Sequence, residues 1–236
     1  MRIAARWIAG LSAVSLLTMA ATTAIARIRS FPPVPAGWKV DDSATGDLNG
    51  DGVGDVALVL RKDDPKLVLR NEGMGSETLD TNPRRLVIFF RQGTAFRQVA
   101  SSSRLLPPAG SKDSPCLADP LGEGGISIAQ QVLTLSMDYW LSCGGWGTST
   151  NTYKFKREGA RFRLIGFDHR EFMRNSGKGE EVSVNFLSNR KSQTPFAIDD
   201  SIPKKLRWSR IKPQRHYLDS LDLEACPQVD RTTTLC

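Results

Sequence analysis

The chain has 236 residues, of which 40% are hydrophobic and 24% charged, with a formal net charge of +7. That length fills the core of one domain, and the composition excludes a disordered, collagen-like or low-complexity protein. Beyond the N-terminus no apolar run reaches the roughly 20 residues of a spanning helix, so no stable membrane span is expected in the mature chain.

Residues 1–26 read as a secretory signal peptide. Arg2 and Arg6 give the positive start, residues 7–21 are the apolar stretch, and Ala24-Ile25-Ala26 is a small-x-small cleavage site. Cutting after Ala26 removes two cations and no acid, so the charge falls from +7 to +5. An uncleaved signal anchor is the alternative. The first cysteine is Cys116, which argues against a lipid anchor at the cut. The expected address is periplasmic or extracellular, in a bacterium. There the basic charge meets water or anionic envelope polymers, and nucleic acid is not an expected partner.

Residues 27–200 are expected to form one β-rich domain around a calcium loop. Phe31-Pro32-Pro33-Val34-Pro35 forbids a helix interior and favours an extended lead-in, with Trp38 as an early anchor. Then come Asp47, Asn49, Asp51 and Asp55, hard oxygen ligands at loop positions 1, 3, 5 and 9. The carbonyl of Val53 at position 7 would add a ligand, and Gly52 at position 6 supplies the tight turn. Position 12 is Leu58, so the bidentate Glu of an EF-hand is missing. The exit is the apolar run 56–60, which reads as a strand and not as a helix. Plain turns at Asn49-Gly50 and Asp51-Gly52 are the alternative. Turns alone do not ask for Asp41, Asp42, Asp47, Asp51 and Asp55 so close together, because those carboxylates repel without a cation among them. The stretch 46–60 resembles the loop–strand calcium sites of FG-GAP and VCBS repeats, the integrin-type propeller repeat. One copy is found where a propeller needs several blades.

Strand signals follow. The run 56–60 is nearly all apolar, as for a strand buried on both faces. Residues 62–83 are polar and glycine-rich and read as a long loop. A strand over 84–91, a turn over 92–95 and a return over 96–100 make a hairpin. Residues 101–125 read as a second long loop, followed by strands over 126–128 and 132–140. In the latter, Leu133, Leu135, Met137 and Tyr139 alternate with Thr134, Ser136 and Asp138, giving one buried and one wet face. Residues 148–157 and 161–167 flank Glu158-Gly159 as the clearest hairpin, and 182–187 is a further strand. The expected fold is mainly β: antiparallel sheets in one domain, β-sandwich-like or propeller-blade-like, with little helix.

Residues 201–236 are expected as a basic C-terminal extension stapled by cysteine. Lys204, Lys205, Arg207, Arg210, Lys212 and Arg215 are interleaved with Trp208 and Tyr217. This reads either as a polyanion surface or as a solvated strip whose aromatics pack down. Cys116, Cys143, Cys226 and Cys236 form an even set, which in an exported chain reads as disulfides with three connectivities. Cys116–Cys143 with Cys226–Cys236 is favoured, because each pair closes a modest loop.

No nucleophile elbow, zinc helix or phosphate loop is present. The two histidines, His169 and His216, carry no catalytic signature. The calcium loop, the 84–91 strand, Tyr153-Lys154-Phe155, Phe162-Arg163-Leu164-Ile165-Gly166 and Ser183-Val184-Asn185-Phe186-Leu187 together resemble a group of bacterial exported proteins with a single loop of this type. That resemblance implies compartment and fold but no activity. The expected function is an exported, calcium-stabilised, non-catalytic binding or structural module of the envelope, with an envelope protein or a glycan as partner. The alternative is a glycan hydrolase with calcium as support.

Overall fold

The computed structural model describes residues 31–236, so the expected signal peptide lies outside the described residues. Among the described residues one 3-10 turn, Pro65–Leu67, is the sole helical element, and all the rest of the regular structure is strand. The first sheet runs β1 (Trp38–Gly46), β2 (Asp55–Lys62), then β5 (Arg84–Gln92) and β6 (Ala95–Ser102), all antiparallel. The segment between β2 and its neighbour is not a bare loop. It holds the 3-10 turn and a ribbon of β3 (Val68–Arg70) with β4 (Thr78–Asp80). Three-residue strands with a single buried side chain, Leu79, are too short to leave a period in the sequence. The sheet then continues as the expected hairpin of β5 and β6.

β1 occupies what reads in sequence as an extended lead-in. It pairs with β2 along its length, and its register slips between Val40 and Asp42. The extra residue is Asp41, and such a bulge re-aims a side chain. The Asp41 carboxylate receives Arg61 Nε at 2.7 Å and Arg84 Nε at 2.8 Å. Arg84 is itself buried and reaches Asp119 with two further bonds of 2.6 Å, and Arg61 also contacts Asp80. The network ties β1, β2 and β5 to the loop before the second sheet. Burial opposes ionisation of Asp119, but the bonds and charge of Arg84, with the Leu121 N–H and the charge of Arg61, together outweigh it and hold the carboxyl below its ordinary value.

The second sheet is a seven-stranded antiparallel meander. Its strands are β7 (Gly125–Ala129), β8 (Val132–Trp140), β9 (Gly147–Glu158), β10 (Arg161–Met173), β11 (Lys178–Asn185), β12 (Arg190–Ala197) and β13 (Arg207–Arg210). The expected alternation in β8 holds: Leu133, Leu135 and Met137 are buried. Their cross-strand partners Phe155, Tyr153 and Asn151 on β9 are buried too. With Phe162, Leu164, Phe167, Val182 and Val184 they face Ala57, Val59, Leu86, Ile88 and Phe90 of the smaller sheet in one core. The two sheets thus pack face to face as a sandwich. The run Val56 to Leu60 is buried on both faces, as its pattern requires. Val56, Leu58 and Leu60 form a second, smaller cluster with Val87, Phe89, Trp38 and Phe96.

The chain after β13 packs into the same core. Ile211, Leu218, Leu221, Leu223, Val229 and Leu235 belong to the main cluster. A ribbon of β14 (Gln228–Asp230) and β15 (Thr233–Thr234) carries two of the contacts that pin this segment. Lys191 Nζ reaches Asp230 at 2.6 Å and the hydroxyls of Thr232 and Thr233 at 2.9 and 3.0 Å. Tyr153 donates its hydroxyl to the Leu235 carbonyl at 2.7 Å.

The disulfides are Cys116–Cys143 and Cys226–Cys236, with Cα–Cα distances of 5.5 and 5.1 Å. The first ties the loop before β7 to the loop after β8. On the chain-entropy account a closed loop of that length stabilises by roughly 3–4 kcal/mol. No helix among the described residues is long and apolar enough to cross a membrane.

Candidate metal loop

The loop 47–55 joins β1 to β2, so its two ends are clamped by sheet pairing, with Gly46 opposite Asp55. Gly50 and Gly52 adopt φ of 87° and 79°, where side chains are strained. Asp47 at position 1 turns inward. Its Oδ1 accepts from the N–H groups of Asn49 and Gly50 at 3.1 and 2.6 Å, and its Oδ2 from Gly52 at 3.0 Å. These bonds, led by Gly50, hold the Asp47 carboxyl below its ordinary value. Asn49 Oδ1 accepts from the Asp51 N–H at 2.8 Å, and Asp51 Oδ1 from the Val53 N–H at 2.8 Å. Asn49 Nδ2 closes the ring onto Asp51 Oδ2 at 2.9 Å.

Asp55 is the one ligand candidate that is wholly buried. Its Oδ2 accepts from Leu48 across the loop, and its Oδ1 from the Arg91 N–H on β5, both at 3.0 Å. Burial pushes its carboxyl above the ordinary value against those two bonds, and the charges of Asp51 and Asp47 push the same way. None of the three loop carboxylates has an ion pair among the described residues, while Arg91 Nε is bonded to the Gly54 carbonyl at 3.2 Å. A neighbour that the sequence does not flag is Gln131, in the β7–β8 turn. Its amide stands where a Cβ on Gly50 would come within 3.3 Å. Both turn residues, Gln130 and Gln131, have positive φ, 50° and 62°.

The donor chemistry suits calcium: oxygen atoms alone, from Asp47, Asn49, Asp51, Asp55 and the Val53 carbonyl. The convergence is incomplete. Among the described residues no three His, Cys, Asp or Glu side chains gather closely enough to hold an ion. The loop instead turns its oxygens onto its own N–H groups, so an entering cation has to displace the Asn49–Asp51 bond.

No family model, curated protein or solved structure matches this chain.

His169 Nδ1 bonds the buried Asn151 side chain at 2.6 Å and its Nε2 stands 3.5 Å from the Glu171 carboxylate, and His216 Nε2 bonds Gln214 at 3.0 Å; among the described residues neither is bonded to a hydroxyl or thiol. Burial lowers the His216 pKa. A cavity of about 450 Å³ lies on the inner face of the larger sheet, with Glu171 and Glu180 in its wall. These carboxylates are cross-strand neighbours on β10 and β11. Side by side on one sheet face, they do not bracket a bond from opposite faces, which glycoside cleavage requires. Glu180 is moreover held by Gln193 at 3.1 Å. Trp140 and Trp146 are both exposed, and the Arg174 guanidinium stacks 3.6 Å over the Trp140 ring.

Proposed function

We propose that the chain is an exported, non-catalytic binding or structural module of the bacterial envelope. Its 47–55 loop, of the FG-GAP/VCBS type, takes calcium as a structural ion. The observation that carries this reading is Asp55. A wholly buried carboxylate at the head of a strand buried on both faces, next to two more carboxylates and with no ion pair among the described residues, is a costly arrangement. A divalent cation offsets that cost and fixes where β2 enters the core. Asp47, Asn49, Asp51, the Val53 carbonyl and Asp55 would hold it. The lack of a bidentate Glu, and the hydrogen bonds that have to open, set the affinity near the extracellular range of about 10⁻⁴–10⁻³ M. The amide partners of both histidines and the two disulfides, which occupy every cysteine, support a role without a nucleophile.

The test is a melting curve of chelator-treated protein with and without calcium. At free calcium tenfold above Kd, linkage adds about 1.4 kcal/mol, a shift of about 3–6 °C at this size. Magnesium, which demands a tighter octahedral shell, is expected to do less. Asp51→Ala removes the calcium-dependent part of the shift and leaves the fold intact. A melting temperature indifferent to millimolar calcium in the wild type removes the metal from this reading.

A further inference from the structure

The outer face of the larger sheet ends at β13 in a basic corner whose charges are not balanced. Arg190 on β12 and Arg210 on β13 are directly opposed in the register. Like charges directly opposed across two strands are destabilising. Among the described residues neither guanidinium has an ion pair or a side-chain hydrogen bond. Nearby cations differ: Lys204 is paired with Asp200 and Arg207 with Glu180. From residue 201 to residue 217 the chain carries six cations and no acid.

Beside the pair stands Trp208, 56% exposed, with the Arg190 guanidinium stacked 4.5 Å over one face of its ring. Of the two readings of this basic-aromatic strip, the packed-down one holds for Tyr217, whose hydroxyl bonds Glu158 at 2.7 Å. It does not hold for Trp208. The two arginines and Trp208 line an open groove of about 750 Å³, with Ser188, Asn189 and Ser209 supplying hydroxyl and amide groups and no carboxylate.

We infer that this groove binds a sugar phosphate: the phosphate lies between Arg190 and Arg210, and the sugar ring lies against Trp208. A phosphate monoester carries a charge of about −1.5 to −2 at neutral pH, which matches two guanidiniums. Each guanidinium presents a planar fork that takes two of its oxygens. An aromatic face suits the apolar face of a sugar ring, and the hydroxyl and amide groups suit its rim. Single-stranded nucleic acid is the poorer fit, because it uses successive aromatic platforms and a tracking groove. This corner has one exposed ring. The inference names a ligand class for the binding role proposed above and rests on that role. Failure of the calcium melt removes the metal and leaves this site standing, whereas failure of phosphate binding removes this site and leaves the metal.

The experiment is calorimetric titration of the full mature chain at low salt with glucose 6-phosphate, inorganic phosphate, glucose, glucuronate and a short oligothymidine. Vesicles bearing a phosphorylated saccharide headgroup form a separate arm, which distinguishes a lipid-linked from a free source. Glucose 6-phosphate is expected to bind at least tenfold more tightly than phosphate or glucose, and to weaken steeply with salt. Arg190→Gln and Arg210→Gln each lose at least tenfold. Their melting temperatures hold or rise, because one of two repelling charges is gone. Trp208→Ala removes the advantage of the sugar phosphate over phosphate alone. The inference is overturned by no heat at 10 mM glucose 6-phosphate, by equal binding in Arg210→Gln, or by oligothymidine binding more tightly than the sugar phosphate. Glucuronate binding as tightly as glucose 6-phosphate overturns the choice of phosphate.

Discussion

Replacing Lys191 by methionine isolates what holds the segment after β13 against the larger sheet. The lysine side chain is 4% exposed and spends all three N–H donors on Asp230, Thr232 and Thr233. Methionine keeps most of the packing volume and removes the charge. Removing one member of a buried pair costs about 3–5 kcal/mol. Asp230 keeps 26% of its side-chain surface in water, and the two hydroxyls can turn to other acceptors. The expected loss is therefore about 2–3 kcal/mol, below that range. At this chain size it lowers the melting temperature by about 5–10 °C. Urea unfolding gives the free energy, and a cycle with Asp230→Asn gives the coupling. The sign of the pH dependence is fixed as well. Burial opposes ionisation of Asp230, but Lys191 together with the N–H and hydroxyl of Thr232 outweighs it and holds the carboxyl below its ordinary 3.8. The pair's contribution is full above that value and is lost as pH falls through the lower folded-state value. Lys191→Met weakens this part of the acid sensitivity. A variant within about 0.5 kcal/mol of wild type, the range of ordinary surface changes, refutes the account.

Arg84→Met leaves the carboxylates of Asp41 and Asp119 without their shared partner and is expected to cost about 2–4 kcal/mol in urea unfolding. Because Asp119 is held below 3.8 in the folded protein, the wild type loses this contribution as pH drops below that value, and the variant has a flatter acid limb. Gly179→Ala puts a methyl group onto the Glu171 carbonyl, 2.6 Å from Phe172 Cβ and 2.8 Å from Phe196 Cζ. Overpacking of this kind costs about 1–3 kcal/mol, read as an earlier urea midpoint at unchanged slope.

What the sequence made legible depended on how each strand is buried. β2 and β5 are buried on both faces and announce themselves as apolar runs. β8 and the β9–β10 hairpin are buried on one face and show the period of two. β1 escapes because polar residues dominate it and its bulge breaks the period. β12 has mostly half-buried polar residues, with a buried lysine where an apolar residue would have signalled a core face. The segment after β13 contributes Leu218, Leu221, Leu223 and Leu235 at irregular spacings, because it follows no repeat of its own and fills gaps in the core. At the loop, the residue types and the two glycine turns could be read directly. That the oxygens bond the loop's own N–H groups, and that β5 reaches Asp55 through Arg91, depends on tertiary placement alone.

The sandwich is also divided along the chain. Every strand of the smaller sheet comes from residues 38–102 and every strand of the larger from 125–210, and no strand crosses from one to the other. In both sheets each strand pairs with its successor, except where the β3–β4 ribbon interrupts the smaller one. Each half can therefore zip up from neighbouring segments, at the low loop-closure cost of local contacts. What remains is the meeting of two formed surfaces through side chains, with Arg84–Asp119 reaching from the first half to the linker and Cys116–Cys143 from the linker to the second. Assembly of this domain is accordingly a docking problem more than a threading one. A cut in the 103–124 linker leaves two pieces that each hold a complete sheet.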